Sequence, residues 1–379
     1  MQVLITNDRL DQRVAANLFV RDLARALQER GHFVFGYGSD PRQQRRLLDI
    51  DPIPVVADLG KLSVRPDILH ARHHLDAMSA LVARPDLPAV FQCDASARLG
   101  PLPRHPRIFR YVASTPGLAA WLEEAGIPRD RVALVPPGID LRRFARARDI
   151  PDRPTRAAFY GDRCHPDSPM VAAAAAAMAG FGIALDLVGR DFGRIFDEPE
   201  QRLHDYDIVF ASGRNAVEAL ACGCCVVIAD ATTCGEMVTT GTFEHVRAAG
   251  YAPVATEPPD TESVRTRVEC YSSTDARRVA EEVRRCSDFR DFAARIEAIY
   301  REAMEAHENQ QADWAEEQMA MSDYLRDISA MTKQTVRRQS RDGDIPVAAA
   351  ALVADVSANL VAIQASLDRC HWWPDLQQP

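Results

Sequence analysis

The chain has 379 residues, of which 47% are hydrophobic and 26% are charged, and its formal net charge is −9. A length of this order favours two domains, each able to bury a core of its own. The acidic balance excludes the basic field that nucleic-acid binding requires, and no apolar run approaches the ~20 residues of a membrane helix. At most peripheral contact with a membrane is therefore expected.

The cysteines and lysines exclude further chemistry. Nine cysteines occur without paired C-x-x-C spacing, which predicts no structural zinc site. Their odd number, with no secretory leader ahead of the first strand, predicts a reducing, cytoplasmic location. The chain has only two lysines, Lys61 and Lys333, and neither lies in a Walker A loop or in a setting typical of a pyridoxal phosphate site.

The first half of the chain alternates strands with helices. It opens with a strand over 3–6, a polar loop over 7–13 and a helix over 14–30 whose apolar residues recur at helical spacing. Further strands are predicted at 33–35, 68–70, 89–91, 111–113 and 132–135, and further helices at 75–82 and 116–125. This alternation predicts a parallel sheet with helices on both faces.

A charged, proline-punctuated segment over 142–156 then has the composition of an interdomain linker. A second alternation follows, with strands predicted at 157–160, 185–188, 208–210 and 226–229, helices at 169–179 and 216–222, and almost only helices from 274 onward. We therefore predict three parts: an N-terminal Rossmann-like domain at 1–147, a second Rossmann-like domain at 148–304 and a helical extension at 305–379.

The helical extension carries two apolar segments, at 310–326 and 347–367, with a turn predicted at 342–346. A helix as apolar as the second must be covered, either by the N-terminal domain or by the same segment of another chain. Because the extension lies outside a fold that is complete without it, we expect a homodimer formed through residues 305–379.

The strongest local signal lies between Ile208 and Asp230. A buried strand runs through a glycine-containing turn into a helix, and a glycine then ends the helix before a second buried strand. Ligands collect at such strand ends because the following helix presents free N–H groups. Glu218 lies there among small and apolar residues, where an ionised carboxylate needs a partner. That partner is either the hydroxyls of a ribose or a cation of the protein, unless Glu218 lies on the surface of the helix.

The segment Glu218-Ala-Leu-Ala-Cys-Gly-Cys-Cys-Val-Val-Ile-Ala-Asp230 resembles the donor motif of the retaining family-four (group 1) glycosyltransferases. Segments 23–32, 114–144 and 289–303 resemble, in the expected order, the first helix, the region before the linker and the closing helix of that family. The resemblance covers roughly residues 1–304. It implies an α/β fold of the GT-B type, with two doubly wound parallel-sheet domains that face a cleft, the N-terminal one towards the acceptor.

The resemblance also implies roles for single residues. Glu218 takes the place of the ribose-binding glutamate, and Gly161-Asp-Arg163 that of a strand-end motif whose arginine binds the diphosphate and stabilises it as it departs. Three residues at the start of the following helix are expected to meet the phosphates or the sugar: Gly213, Arg214 and Asn215.

The chain departs from the family pattern at several positions. By spacing, the first glutamate of the donor motif is replaced by Phe210, a phosphate-binding lysine by Ser168 and a histidine of the N-terminal cleft by Asp94. As a cleft carboxylate, Asp94 is a candidate catalytic residue. The loop over 8–13 lacks the glycines of the family. These changes bear on the donor and on activity, and they leave the expected fold as it is.

The segment His70-Ala-Arg-His-His74 closes a predicted strand and invites comparison with a metal site. Adjacent histidines at a strand end point in different directions, and no carboxylate or cysteine accompanies them at ligand spacing. We therefore expect no metal here, and the histidines are either polar residues of the cleft or structural groups.

The implied function is transfer of a sugar from a nucleoside diphosphate sugar to a hydroxyl of a glycan, a lipid-linked molecule or a protein, in glycan or polysaccharide biosynthesis. The resemblance implies retention of configuration, and no metal or other cofactor is expected. The replaced motif residues keep open a second hypothesis, a catalytically degenerate binding or scaffold protein that retains the nucleotide pocket. Two-domain sugar-nucleotide epimerases share the architecture, but their motifs match less well.

Overall fold

The computed structural model describes residues 1–7, 15–38, 53–93, 97, 100–145, 147–162, 164–196, 198–254, 259–310 and 313–342. Two of the predicted site residues, Asp94 and Arg163, lie outside this part of the chain, as do the loop 8–13 and the apolar segment 347–367.

The first unit is built on a seven-stranded sheet. Its strands are β1 (Gln2–Thr6), β2 (Phe33–Tyr37), β3 (Val55–Val56), β4 (Ile68–Ala71), β5 (Ala89–Cys93), β6 (Ile108–Ala113) and β7 (Val132–Leu134). Its helices are α1 (Ala15–Glu29), α2 (His74–Ala83) and α3 (Pro116–Glu124). The strands lie in the order β3-β2-β1-β4-β5-β6-β7, and all of them are parallel. The strand order therefore reverses between β1 and β4.

The second unit is a five-stranded sheet with helices on both faces. Its strands are β8 (Arg156–Tyr160), β9 (Ala184–Val188), β10 (Ile208–Ala211), β11 (Cys225–Ala229) and β12 (Cys234–Met237). Its helices are α4 (Pro169–Phe181), α5 (Pro199–Arg202), α6 (Gly213–Ala221), α7 (Phe243–Ala248), α8 (Thr261–Val268) and α9 (Ser273–Cys286). The order is β12-β11-β10-β8-β9, with only β12 antiparallel, so the strand order reverses between β8 and β10.

The apolar runs of the sequence explain why both sheets form. Every residue of β10 and β11 is buried, as expected for parallel strands that helices cover on both faces. The predicted α/β class, with two parallel sheets, is confirmed. Each predicted strand is present, and most extend one or two residues beyond the sequence prediction because the ladder continues past the apolar run.

The chain returns to the first unit after α9. Helix α10 (Phe289–Asn309) buries Ile296, Ile299 and Tyr300 in the same core as Val3 and Ile5 of β1. Residues 289–304, which the sequence analysis assigns to the second domain, thus contribute to the core of the first. The predicted domain boundaries remain a prediction from the sequence.

The first part of the helical extension also packs on the N-terminal sheet. Helix α11 (Trp314–Asp342) runs well past the predicted end at residue 326, and its Tyr324 and Ile328 are buried in the core around α2. Glu317 accepts a hydrogen bond of 3.0 Å from Nε of the buried Arg107. The N-terminal domain therefore covers α11, which is one of the two alternatives for the extension. The other alternative, a homodimer through residues 305–379, remains a prediction.

None of the described helices combines the length and the apolarity that crossing a membrane would require.

We predict that Glu317→Ala destabilises the protein by on the order of 3 kcal/mol, because it leaves the guanidinium of Arg107 buried without its counter-charge. Urea unfolding of the full chain measures this effect. The matched control is Glu316→Ala, since Glu316 is exposed on the same helix and its loss should cost little. Equal stability of the two variants would show that the Arg107–Glu317 pair does not anchor α11.

Candidate functional site

The point at which the strand order of the second sheet reverses forms the centre of the site. Tyr160 ends β8, and on the neighbouring strand only Ser212 separates β10 from the start of α6 at Gly213. The side-chain amide of Asn215 donates to the carbonyl oxygen of Tyr160 at 3.3 Å and ties the two strand ends together. Ligands of open α/β sheets bind in this position, next to the N-terminus of a helix.

Glycines allow the strand ends to approach each other. Gly189 has φ of +153°, and a Cβ atom there would lie 2.0 Å from the carbonyl oxygen of Gly161. Gly213 has φ of +55°, which lets β10 turn directly into α6. The predicted residue Gly161 thus contacts Gly189 through its backbone, and the predicted residue Gly213 allows the tight turn into α6.

Glu218 lies on α6 with its side chain only 1% exposed. Its Oε2 accepts a hydrogen bond of 2.9 Å from the hydroxyl of Tyr160, and its Oε1 accepts one of 2.8 Å from Nε of Arg214. Burial raises the pKa of Tyr160 well above its usual value, and the negative charge of Glu218 adds to this effect. Tyr160 therefore remains a donor. Of the partners left open by the sequence, a cation of the protein is the one observed.

Arg214 reaches from the second domain to the first. Its Nη2 contacts a carboxylate oxygen of Asp22, which lies on α1 with its side chain 2% exposed. Burial lowers the pKa of Arg214, but the charges of Asp22 and Glu218 outweigh burial and the net shift is upward. Burial likewise raises the pKa of Asp22, while Arg214 and Arg21 outweigh it and shift it downward. Asp22 and Arg214 therefore form an ion pair between the two domains.

Two further arginines surround Asp22. Arg21 donates from Nη2 at 2.8 Å, and Nη1 of Arg143 lies 3.9 Å away. Arg143 also pairs with Glu200 at 2.7 Å. The result is a network of arginines and carboxylates at the junction of the two domains.

A small pocket opens beside this network. It is lined by Leu18, Tyr160, Asp162, Val188, Gly189, Ile195, Phe196 and Asn215. Half of the lining comes from the carboxyl ends of β8 and β9, and Leu18 comes from α1 of the first domain. An apolar and aromatic wall with a few convergent polar groups is typical of a small-molecule site.

Phe210 does not lie at the site. It is fully buried within β10, and its ring stacks on Phe159 with centroids 6.1 Å apart and an interplanar angle of 11°. The position that spacing assigns to the first glutamate of the donor motif is thus a core position. Because the connection to α6 is a single residue, no loop is present there to carry a second carboxylate. Ser168, at the lysine position, precedes α4 and accepts a hydrogen bond of 3.0 Å from the backbone N–H of His165.

His70 near the end of β4 and His74 at the start of α2 form hydrogen bonds with tyrosine side chains of the protein. Nδ1 of His70 lies 2.8 Å from the hydroxyl of Tyr300, and Nδ1 of His74 lies 2.8 Å from that of Tyr324. Burial lowers the pKa of both histidines to about 3. Within the described part of the chain, no group of three or more histidines, cysteines or carboxylates could hold a metal.

Sequence reasoning identified Glu218, Arg214 and Asn215, which the structure brings together, but it missed Tyr160 and Asp22. A signal for Asp22 was present, because this acid lies four residues after Leu18 on a helix whose other inward positions are apolar. Tyr160 carries no such signal, since an aromatic residue at the end of a buried strand is ordinary.

Comparison with known proteins supports the same fold. The family model described as Glycosyltransferase Family 4 matches residues 16–143. No curated protein matches the chain at a significant level.

Several solved structures share the architecture. Anabaena HepE in complex with UDP-glucose is 14% identical with a TM-score of 0.58, over 79% of this chain and 99% of that one. Sucrose-phosphate synthase from Thermosynechococcus elongatus is 16% identical with a TM-score of 0.55, over 80% and 99%. A glycosyltransferase from Rickettsia africae is 12% identical with a TM-score of 0.56, over 80% and 98%.

The predicted resemblance to the family-four glycosyltransferases and the predicted GT-B fold are therefore confirmed. The family match covers the N-terminal domain, and the structural likeness extends over both domains. The roles of the single site residues stay predictions.

We predict that Tyr160→Phe lowers the free energy of unfolding by ~1.5–3 kcal/mol, because the buried carboxylate of Glu218 loses a hydrogen bond that water does not replace. Urea unfolding checks the value. The control is Tyr206→Phe, whose hydroxyl binds Asp186 at 2.7 Å; Asp186 is 31% exposed, so water can replace the bond. A larger loss in the control would contradict the prediction.

A pH dependence follows from His70, His74 and His105, whose pKa values burial lowers to about 3. An unfolded histidine titrates near ~6.5, so below that pH the unfolded state binds more protons and stability falls as pH falls. Each histidine should contribute up to about 1.4 kcal/mol per pH unit below that value.

The variant His74→Asn should reduce this pH slope, since asparagine keeps an acceptor near Nδ1 but does not titrate. Urea unfolding between pH 7.5 and pH 4.5 measures the slope. His245→Asn, at an exposed position, should leave it unchanged. If His74→Asn retained the full slope, His74 would not be held neutral in the folded state.

Proposed function

We propose that this protein is a glycosyltransferase that transfers a sugar from a nucleoside diphosphate sugar to a hydroxyl acceptor. The observation that carries the proposal is the buried Glu218, held by Tyr160 and Arg214 near a helix N-terminus at the reversal point of the second sheet. The family match to the N-terminal domain and the GT-B fold support it. Anabaena HepE, which has a similar fold, is known in complexes with UDP-glucose and with UDP.

Glu218 keeps acceptor capacity for hydroxyl groups of the donor. Each carboxylate oxygen of Glu218 accepts one hydrogen bond from the protein and retains a second lone pair, so ribose hydroxyls can still donate to it. The base would lie against Ile195 and Phe196 in the adjacent pocket. The diphosphate would then meet the N-terminus of α6, where Gly213, Arg214 and Asn215 lie.

The chemistry asked of the protein is stabilisation of a departing diphosphate. Arg163 and the helix N-terminus supply positive charge where negative charge develops in the transition state. We propose that the reaction retains configuration, needs no metal or other cofactor, and uses Asp94 as a catalytic carboxylate. We place it in the cytoplasm, in glycan or polysaccharide biosynthesis, with a glycan, lipid-linked or protein acceptor.

The second candidate function is a nucleotide-binding protein without transferase activity. Phe210 favours it, because the core position leaves the site without the second carboxylate of the donor motif. Slow hydrolysis of a nucleotide sugar by the purified protein separates the two candidates. A transferase should show it, and a protein that only binds should not.

We predict that Glu218→Gln weakens binding of the preferred nucleoside diphosphate by ~1.5–3 kcal/mol, the loss expected for hydrogen bonds to a charged group. A thermal-shift screen of nucleotide sugars first identifies the ligand, because a ligand that binds only the folded state raises its apparent stability. Calorimetric titration then measures the loss. The control is Glu236→Gln, an exposed carboxylate of the same domain that should not change the affinity. Unchanged affinity in Glu218→Gln would refute the role of Glu218.

A further inference from the structure

One guanidinium is shared by carboxylates of the two domains. Nε of Arg214 donates to Glu218 of its own domain at 2.8 Å, and Nη2 contacts Asp22 of the other. These two nitrogens form one edge of the planar guanidinium, so both carboxylates hold the same edge. The orientation of Arg214 is thereby fixed from both sides of the cleft.

The remaining nitrogen of Arg214 has no hydrogen-bond partner among the residues that the structure describes. Nη1 is shielded from water and makes no hydrogen bond to any residue that the structure describes, although the Arg214 side chain is only 10% exposed. A buried donor without an acceptor costs free energy. The side chain is therefore anchored through one edge while a strong donor remains available on the other.

A nitrogen of a second guanidinium, that of Arg143, is also buried without a hydrogen bond to the described residues. Nη1 of Arg143 is buried without a hydrogen bond within the described chain, and it lies 3.9 Å from the carboxylate of Asp22. Two such donors, both held close to Asp22, suit an anion with several acceptor oxygens. A phosphate group has this chemistry.

The pocket adjoins these donors. Asn215 follows Arg214 in the chain, Tyr160 is the hydrogen-bond partner of Glu218, and Leu18 lies one helical turn before Asp22 on α1. A nucleotide seated there with its ribose at Glu218 would place its phosphates next to the anchored arginine.

We propose that Asp22 is a positioning residue of the nucleotide site, which holds Arg214 from across the cleft so that Nη1 is presented to the diphosphate. This inference rests on the proposed function. It makes phosphate affinity depend on a residue of the N-terminal domain, although the donor motif lies wholly in the second. It also gives the site a cation, Arg214, although Ser168 replaces the phosphate-binding lysine of the family.

The experiment compares Asp22→Asn, Arg214→Gln and the double variant with the unmodified protein. UDP, GDP and the free nucleosides uridine and guanosine are titrated by calorimetry. Each single variant should bind the preferred diphosphate about 10- to 100-fold more weakly, the range for hydrogen bonds to charged groups, and the nucleoside unchanged. The double variant should be no weaker than Arg214→Gln, because Asp22 acts only through Arg214.

The matched control is Glu29→Gln. Glu29 lies on the same helix and pairs with Arg142 of the linker at 2.6 Å, but its side chain is 37% exposed. This variant should bind diphosphate like the unmodified protein. Asp22→Glu, which keeps the charge, should fold and recover most of the affinity lost in Asp22→Asn.

Three results would overturn the proposal. They are unchanged diphosphate affinity in Asp22→Asn, an equal loss for nucleoside and diphosphate, and losses in the two single variants that add in the double one.

A ligand-free measurement separates this proposal from the proposed function. Amide hydrogen exchange at 213–218 should be faster in Asp22→Asn than in Glu29→Gln, and equal exchange would overturn the positioning role. If the unmodified protein bound no nucleoside diphosphate, the proposed function would fall and the phosphate role of Arg214 with it. Faster exchange would even then show that Asp22 positions Arg214.

Discussion

A carboxyl group buried among apolar side chains needs partners from the protein, and Glu218 imposes this requirement on the centre of the molecule. Tyr160 meets it from the adjacent strand and Arg214 from the preceding turn of the same helix. Arg214 is then a buried cation that needs more negative charge, and Asp22 supplies it from the other domain. One side chain in the donor motif thus determines the partners around it and joins the two halves of the protein.

The sequence predicted the fold well because the fold depends on local periodicity. The runs from Ile208 to Ala211 and from Cys225 to Ala229 are buried on both faces, and such strands are visible in a single sequence. The candidate site was predicted in part. Glu218 is conspicuous because a carboxylate among alanines is unusual, and glycines mark the turn before it. Its partner Tyr160 is 58 residues away in the chain, and Asp22 is 192 residues from its partner Arg214. Pairing over such separations leaves no local pattern.

Phe210 shows how spacing can mislead. Counting eight positions back from Glu218, with seven residues between, assumes a fixed spacing from the strand to the helix. In this chain a single residue makes the connection between β10 and α6, so the count ends inside the strand, where a phenylalanine packs on Phe159. Spacing along the chain therefore points to a position of the core, as the burial of Phe210 shows.

Helices α10 and α11 pack into the core of the N-terminal domain. The polypeptide consequently crosses between the domains twice, once through the linker after β7 and once between α9 and α10. This limits how such a protein can exchange parts with its relatives. A recombination in the linker alone would separate the N-terminal sheet from the helices that cover it and expose Val3, Ile5 and their neighbours to water. The first domain can be inherited intact only as a discontinuous unit, in which the segment that forms its sheet is taken together with α10 and α11.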